Sequence, residues 1–321
     1  MAALIELREL VVELPTPGGW IRPVNEVSLR IAAGESLGLV GESGSGKTML
    51  SLALMGLLPP GARVSGEAQL VARGGTKNLR ALQESEWREV RGREIAMIFQ
   101  EPMTSLNPVM RIGAQVAEAI QAHEPGAASA DVRRRTLEAL RLAAVPEAEM
   151  RAGQFPHQLS GGLRQRAMIA MALAAGPRLL IADEPTTALD VTVQKQILEL
   201  LQKLRRELQL GLLFITHDLG VVAQVADRIA VMYAGRTIEE GPAREVLTAP
   251  RHPYTQGLLK ASPTLERAKL TPIPGSVPAL AALPTGCAFE PRCDLRRAEC
   301  RVAVPGLRAA SADHAARCVL V

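Results

Sequence analysis

The most constraining stretch of this chain is Gly41-Glu42-Ser43-Gly44-Ser45-Gly46-Lys47-Thr48, eight residues in the pattern G-x-x-x-x-G-K-[ST]. An apolar run with strand character, residues 36–40, leads into it, and a helix is expected to open at Lys47. The glycines at 41, 44 and 46 allow dihedrals that turn successive N–H groups inward, and a helix start adds partial positive charge. Such a loop holds phosphate, with Lys47 reaching toward the outer phosphates and Thr48 toward Mg²⁺. A chance glycine turn before a helix is the plain alternative, and the strand–loop–helix context argues against it.

A second feature supports the same chemistry. Residues 179–184, Leu-Leu-Ile-Ala-Asp-Glu, read as a buried strand ending in two carboxylates, an expensive arrangement unless a cation or a reaction uses it. Asp183 is placed to hold Mg²⁺ and Glu184 to polarise an attacking water; capping of the loop at Pro185 is the alternative. Gln100, after Ile-Ala-Met-Ile-Phe, and His217, after Leu-Leu-Phe-Ile-Thr, also follow strand-like runs and can reach the carboxyl edge of the same sheet. Singly, each reads as a loop residue.

Around these motifs the chain alternates strand and helix as a wound α/β sheet does. Strands are expected at 95–99, 179–182, 212–215, 229–233 and 236–239, and helices at 112–123, 132–142, 193–206 and 219–225. The two helices between 99 and 179 read as a helical insertion. Past residue 250 the texture changes, with 8 of the 22 prolines in the last 71 residues. A boundary is placed there, separating residues 1–250 from an extension at 251–321.

Composition narrows the partners. Eight aromatic residues in 321 leave little for a base-stacking platform. Residues 1–250 carry 27 Lys+Arg against 28 Asp+Glu, so they lack the charge for bulk nucleic-acid attraction; the extension carries 10 against 5. Neither a transmembrane helix nor a signal peptide is expected. All four cysteines, Cys287, Cys293, Cys300 and Cys318, fall in the last 35 residues, at spacings that match no short zinc knuckle. Metal binding and inert burial both stay open.

Taken in order, these motifs resemble those of the ATP-binding cassette ATPases across nearly the whole chain. They comprise the phosphate loop Gly41–Thr48, Gln100, a signature Leu159-Ser160-Gly161-Gly162-Leu163, the Leu179–Asp183 strand with Glu184, Ala188-Leu189-Asp190, and His217. Phe99 to Pro108, His252 to Leu259 and Gly286 to Cys293 resemble the D-type ATPase subunit of oligopeptide/dipeptide permeases, a group that includes nickel uptake relatives.

The resemblance implies a P-loop NTPase fold of α/β class, with a RecA-like core, an N-terminal antiparallel β-subdomain, a helical subdomain at about 101–175 and a small irregular C-terminal extension. It implies ATP hydrolysis that powers oligopeptide or dipeptide import, the alternatives being import of nickel or another small solute and, behind that, a soluble cassette ATPase acting on nucleic acid or ribosomes. ATP and Mg²⁺ are the implied ligands, Mg²⁺ held by Thr48, Gln100 and Asp183, with catalysis by Glu184, His217 and Gln100. Ser160, Gly161 and Gly162 would face ATP held by a second ATPase subunit in a head-to-tail dimer. The implied partners are a paralogous ATP-binding subunit, two transmembrane permease subunits and a substrate-binding protein, with no nucleic acid. The implied place is the cytoplasmic face of the inner membrane, held peripherally. A [4Fe–4S] cluster on the four cysteines is implied by similar tails in this group, with Zn²⁺ as second choice. Two positions depart from the pattern: Leu163 stands where Gln is commonest, and no aromatic aligns at the adenine-stacking position, where Ile21 stands beside Trp20.

Overall fold

The first two strands form a long hairpin. β1 (Ala3–Thr16) and β2 (Gly19–Ala32) pair antiparallel across Pro17-Gly18, with Thr16 opposite Gly19. Ile5, Leu7, Leu10 and Val12 of β1 are all buried although the step from 7 to 10 breaks a period of two. A register shift between Leu7 and Leu10, with Glu9 at φ 46°, absorbs the extra residue and keeps the apolar set on one face. The computed structural model describes residues 3–100, 105–187, 189–261 and 271–321.

β3 (Ser36–Val40) leads into the glycine loop and α1 (Lys47–Leu54). β4 (Arg63–Ala72) and β5 (Gly75–Asn78) then complete a four-stranded antiparallel sheet of order β2-β1-β4-β5. These strands, and α2 (Glu84–Val90) after them, occupy a span where the sequence pattern alone indicated no element. The reason is visible in β4, which buries only Ala68, Leu70 and Ala72 and so carries a weak apolar signal.

β6 (Ile95–Ile98) begins the parallel series. Between it and β7 (Leu179–Asp183) lie α3 (Ile112–Gln121), α4 (Ser129–Leu142), α5 (Ala148–Ala152) and α6 (Gly161–Leu173), in the span expected to be helical. α7 (Val191–Leu208), β8 (Gly211–Thr216), α8 (Leu219–Val225), β9 (Arg228–Tyr233) and β10 (Arg236–Pro242) follow, then α9 (Ala243–Thr248) and α10 (Pro253–Ala261). Two-residue strands β11 (Arg308–Ala309) and β12 (Ala315–Ala316) close the main sheet, whose order is β11-β12-β10-β9-β3-β8-β7-β6.

Strands β9, β3, β8, β7 and β6 are mutually parallel. Every residue of β3, β6, β7 and β8 is buried, which is why these strands read as near-continuous apolar runs. Alternate residues serve two cores. Leu39, Ile181 and Ile215 pack toward Ile5, Leu7 and Leu50, whereas Leu180, Ala182 and Phe214 pack toward Val116, Ile169 and Ile197 of the helical side. No helix among the described residues is long and apolar enough to cross a membrane.

The proline-rich extension is built onto this sheet. β12 pairs with β10, placing Ala316 opposite Glu239. The fully buried Glu239 carboxylate accepts N–H bonds from Arg251 (2.6 Å) and His252 (2.9 Å) and meets His314 Nε2 at 2.7 Å. Both tyrosines of the chain join the seam: the Tyr233 ring of β9 lies 4.6 Å from Tyr254 of α10 and 5.3 Å from Phe289.

Candidate nucleotide-binding site

Strand register assembles the site. Val40 pairs with Thr216, Asp183 with Ile215 and Ile98 with Ala182. The residues that follow therefore leave the sheet at one edge, where Gly41, His217, Glu184 and Gln100 meet.

The loop Gly41–Thr48 wraps around its own lysine. Lys47 is buried, and its Nζ donates to the carbonyls of Gly41 (2.6 Å) and Glu42 (3.0 Å) and meets Ser45 Oγ at 3.3 Å. Burial lowers its pKa, and the charges of Glu184, Asp183 and Glu42 oppose that fall. Gly46 sits at φ 104°, and a Cβ there would overlap the Pro23 carbonyl oxygen, so both the dihedral and the close approach of β2 demand glycine. Leu50 N–H makes the first intrahelical bond, to Gly46 (2.9 Å), so the N–H groups of Lys47, Thr48 and Met49 precede the ladder. That is the donor set of an anion site.

Asp183 ends β7 at 2% exposure. Burial raises its pKa, and the hydroxyls of Thr48 and Ser51 and the charge of Lys47 pull it back. A buried carboxylate beside a threonine hydroxyl is a hard oxygen donor pair suited to Mg²⁺. Glu184 follows at φ 47°, a left-handed conformation that a side chain rarely adopts, and its N–H donates to Ile215 O at 2.9 Å. Its carboxylate accepts from Thr187 Oγ1 (2.9 Å) and Gln100 Nε2 (3.4 Å) and lies 3.3 Å from His217 Nδ1. Gln100 and His217, each ambiguous alone, thus converge on one carboxylate. Thr187 is a partner the sequence reading missed, since a hydroxyl three residues along a loop carries no distinguishing signal.

The signature segment opens α6. Ser160 Oγ accepts the N–H of Leu163 at 3.4 Å, and Ser160 and Gly161 are exposed. Gly162 lies against α7, where an added Cβ would come 2.7 Å from Val193 Cγ1. Asp190 caps that helix through Val193 N–H at 2.9 Å. Ala188 lies outside the described residues. Trp20 is 44% exposed with the Arg63 guanidinium 3.9 Å above its ring, and Ile21 is half-buried.

Glu42 has an unexpected neighbour. Its carboxylate receives Arg292 Nη1 (2.6 Å) and Nη2 (3.0 Å), and its N–H donates to the Tyr254 hydroxyl at 2.8 Å. A separation of 250 residues hides this pair from any local pattern. Cys293, Cys300 and Cys318 are buried and Cys287 is half-buried; all four are free thiols. Burial pushes Cys287 up to about 11 and raises Cys293, with Cys300 and Cys318 adding to both shifts. Among the described residues no group of three or more His, Cys, Asp or Glu side chains gathers as a metal ion requires. A tetrahedral ion at about 2.3 Å from each sulfur needs its ligands tightly convergent.

The ABC transporter family model matches residues 24–187, and that of the oligopeptide/dipeptide transporter C-terminal region matches 238–300. This chain belongs to the ABC transporter ATP-binding proteins of the oligopeptide group. It is 49% identical over 304 residues to the oligopeptide transport ATP-binding protein OppD of Salmonella typhimurium, covering 94% of this chain and 89% of that one. OppD of Bacillus subtilis is 51% identical over 294 residues, covering 90% and 81%. Among solved structures, the dimeric post-hydrolysis state of the cassette MJ0796 bound to ADP and Pi superposes with a TM-score of 0.65 at 29% identity, covering 75% of this chain and 99% of that one. The cassette fold expected from the motifs is thus the fold found.

Proposed function

We propose that this ABC protein is the ATP-hydrolysing subunit of an importer of oligopeptides or dipeptides. The observation that carries the reading is the Glu184 carboxylate, held by Thr187, Gln100 and His217 at the strand edge that also bears the phosphate loop. In that role the N–H groups at the start of α1 and the Lys47 ammonium bind the outer phosphates of ATP. Glu184 takes a proton from the attacking water, and His217, next to it, holds the γ-phosphate. Thr48, Asp183 and Gln100 would hold Mg²⁺, which when bound offsets charge on the phosphate oxygens.

The exposed Ser160 and Gly161, at the start of a 13-residue helix, would serve ATP bound to a partner ATPase. The MJ0796 relative is dimeric, which supports this arrangement. We assign the partner to a paralogous subunit, and the remaining partners to two transmembrane permeases and a substrate-binding protein at the cytoplasmic face of the membrane. The four cysteines are proposed as ligands of a [4Fe–4S] cluster, whose thiolates each bind a different iron and therefore stand further apart than around a single ion.

The test is purification from membranes with identification of the co-purifying chains, followed by reconstitution in vesicles. ATP-dependent accumulation of labelled di- and oligopeptides is expected. Uptake of Ni²⁺ in place of peptide would overturn the cargo assignment.

A further inference from the structure

The P-loop residue Glu42 presents a carboxylate within a loop whose other features all favour an anion. An uncompensated negative charge there opposes a triphosphate. Its charge also reaches the phosphate-binding lysine, since Glu42 is among the groups that act on Lys47. The compensating cation comes from the opposite end of the chain. Arg292 forms a two-pronged bond to Glu42, and its side chain is only 4% exposed.

Arg292 is itself fixed. Its Nε donates to Pro274 O (2.9 Å), Nη1 also to the Tyr233 hydroxyl (3.3 Å), and Nη2 also to Ile273 O (3.4 Å). All five guanidinium N–H groups are thereby engaged. Tyr254, tilted against Tyr233 and edge-on to Phe289, accepts the Glu42 N–H. The Glu42 carbonyl in turn accepts from Lys47 Nζ and from Ser45 N–H (3.2 Å). The extension thus grips the first turn of the loop at both its backbone and its charge.

We infer that Arg292 is a positioning residue for ATP: from the C-terminal extension it neutralises Glu42 and fixes the phosphate loop, making nucleotide affinity depend on the extension. The inference rests on Gly41–Thr48 being the ATP site. Sequence organisation had kept the two apart, with a boundary near 250 and no nucleotide motif beyond it.

The test uses the full chain and equilibrium binding of MgATP, with circular dichroism and melting temperature recorded for each variant. Arg292→Gln leaves Glu42 charged and unpaired, and is expected to weaken binding roughly tenfold, the effect of losing one charge-assisted contact. Where hydrolysis is measured, KM rises by a similar factor while kcat changes less than about twofold. Adding Glu42→Gln removes the uncompensated charge, so the double variant should bind better than Arg292→Gln alone. A merely structural arginine gives no such rescue, because both variants break the same anchor. Arg292→Lys keeps charge without the fork and should fall between. Wild-type affinity in a folded Arg292→Gln variant, or a double variant no better than the single, overturns the inference. Lys47→Ala separates the levels: if it too leaves binding unchanged, the ATP site itself has been misplaced, whereas loss in Lys47→Ala alone condemns only the role of Arg292.

Discussion

Glu184 and His217 leave adjacent parallel strands and meet with Nδ1 3.3 Å from Oε1, the glutamate held at φ 47° by an N–H bond to the neighbouring strand. A strained backbone persists only where its surroundings over-determine it, and here it aims a carboxylate across the strand edge. Replacing Glu184 with Gln keeps the shape and removes the base. ATP binding should be retained while turnover falls by roughly two to four orders of magnitude, the range for a positioned base. Hydrolysis assays and nucleotide titration check this, and near-normal turnover would refute the role.

Ser160 is exposed at the start of α6, and its substitution separates the two halves of a composite site. Ser160→Arg should leave nucleotide affinity of the isolated subunit unchanged while abolishing the ATP-dependent dimer, measured by light scattering in the Glu184→Gln background. Equal loss of affinity in the monomer would place the signature on the subunit's own nucleotide.

The cysteine tail makes a visible prediction. Burial raises the Cys287 and Cys293 thiols, so a metal must displace their protons to bind. Anaerobically purified protein should be brown and contain about four irons per chain, the stoichiometry of one cluster. Cys293→Ser should lose the iron and render residues 251–321 protease-sensitive. A colourless, metal-free protein with a resistant tail would leave four buried thiols.

His252 is buried in the seam, where its Nδ1 accepts the Tyr254 N–H at 3.0 Å and so must be unprotonated. Burial pushes its pKa down to about 3. Unfolding restores an ordinary value near 6.5, so between about pH 3 and 6.5 the unfolded chain binds a proton that the folded chain refuses. Stability from this group is present above pH 6.5 and is lost as pH falls, with a slope approaching ~1.4 kcal/mol per pH unit. The raised Asp183 works in the opposite direction, and comparison with a variant cancels it. Unfolding free energy measured from pH 7 to 4 should therefore fall less steeply in His252→Gln than in the wild type. Parallel pH profiles would show that His252 carries no such linkage.

The nucleotide loop and the fully buried strands were legible in the residues alone, because each of these is a local pattern. Glycine spacing sets the loop dihedrals, and near-continuous apolar runs mark β3, β7 and β8. Weakly apolar β4 escaped the same logic. Tertiary structure alone decided which solitary polar residues act together. Gln100 and His217 became neighbours of Glu184 only through the register of β6, β7 and β8, since parallel strands bring distant loops to one edge. It also decided that a proline-rich tail reaches the phosphate loop. The partners Glu42 and Arg292 are joined by charge across a fold, and no pattern in either segment encodes the distance between them.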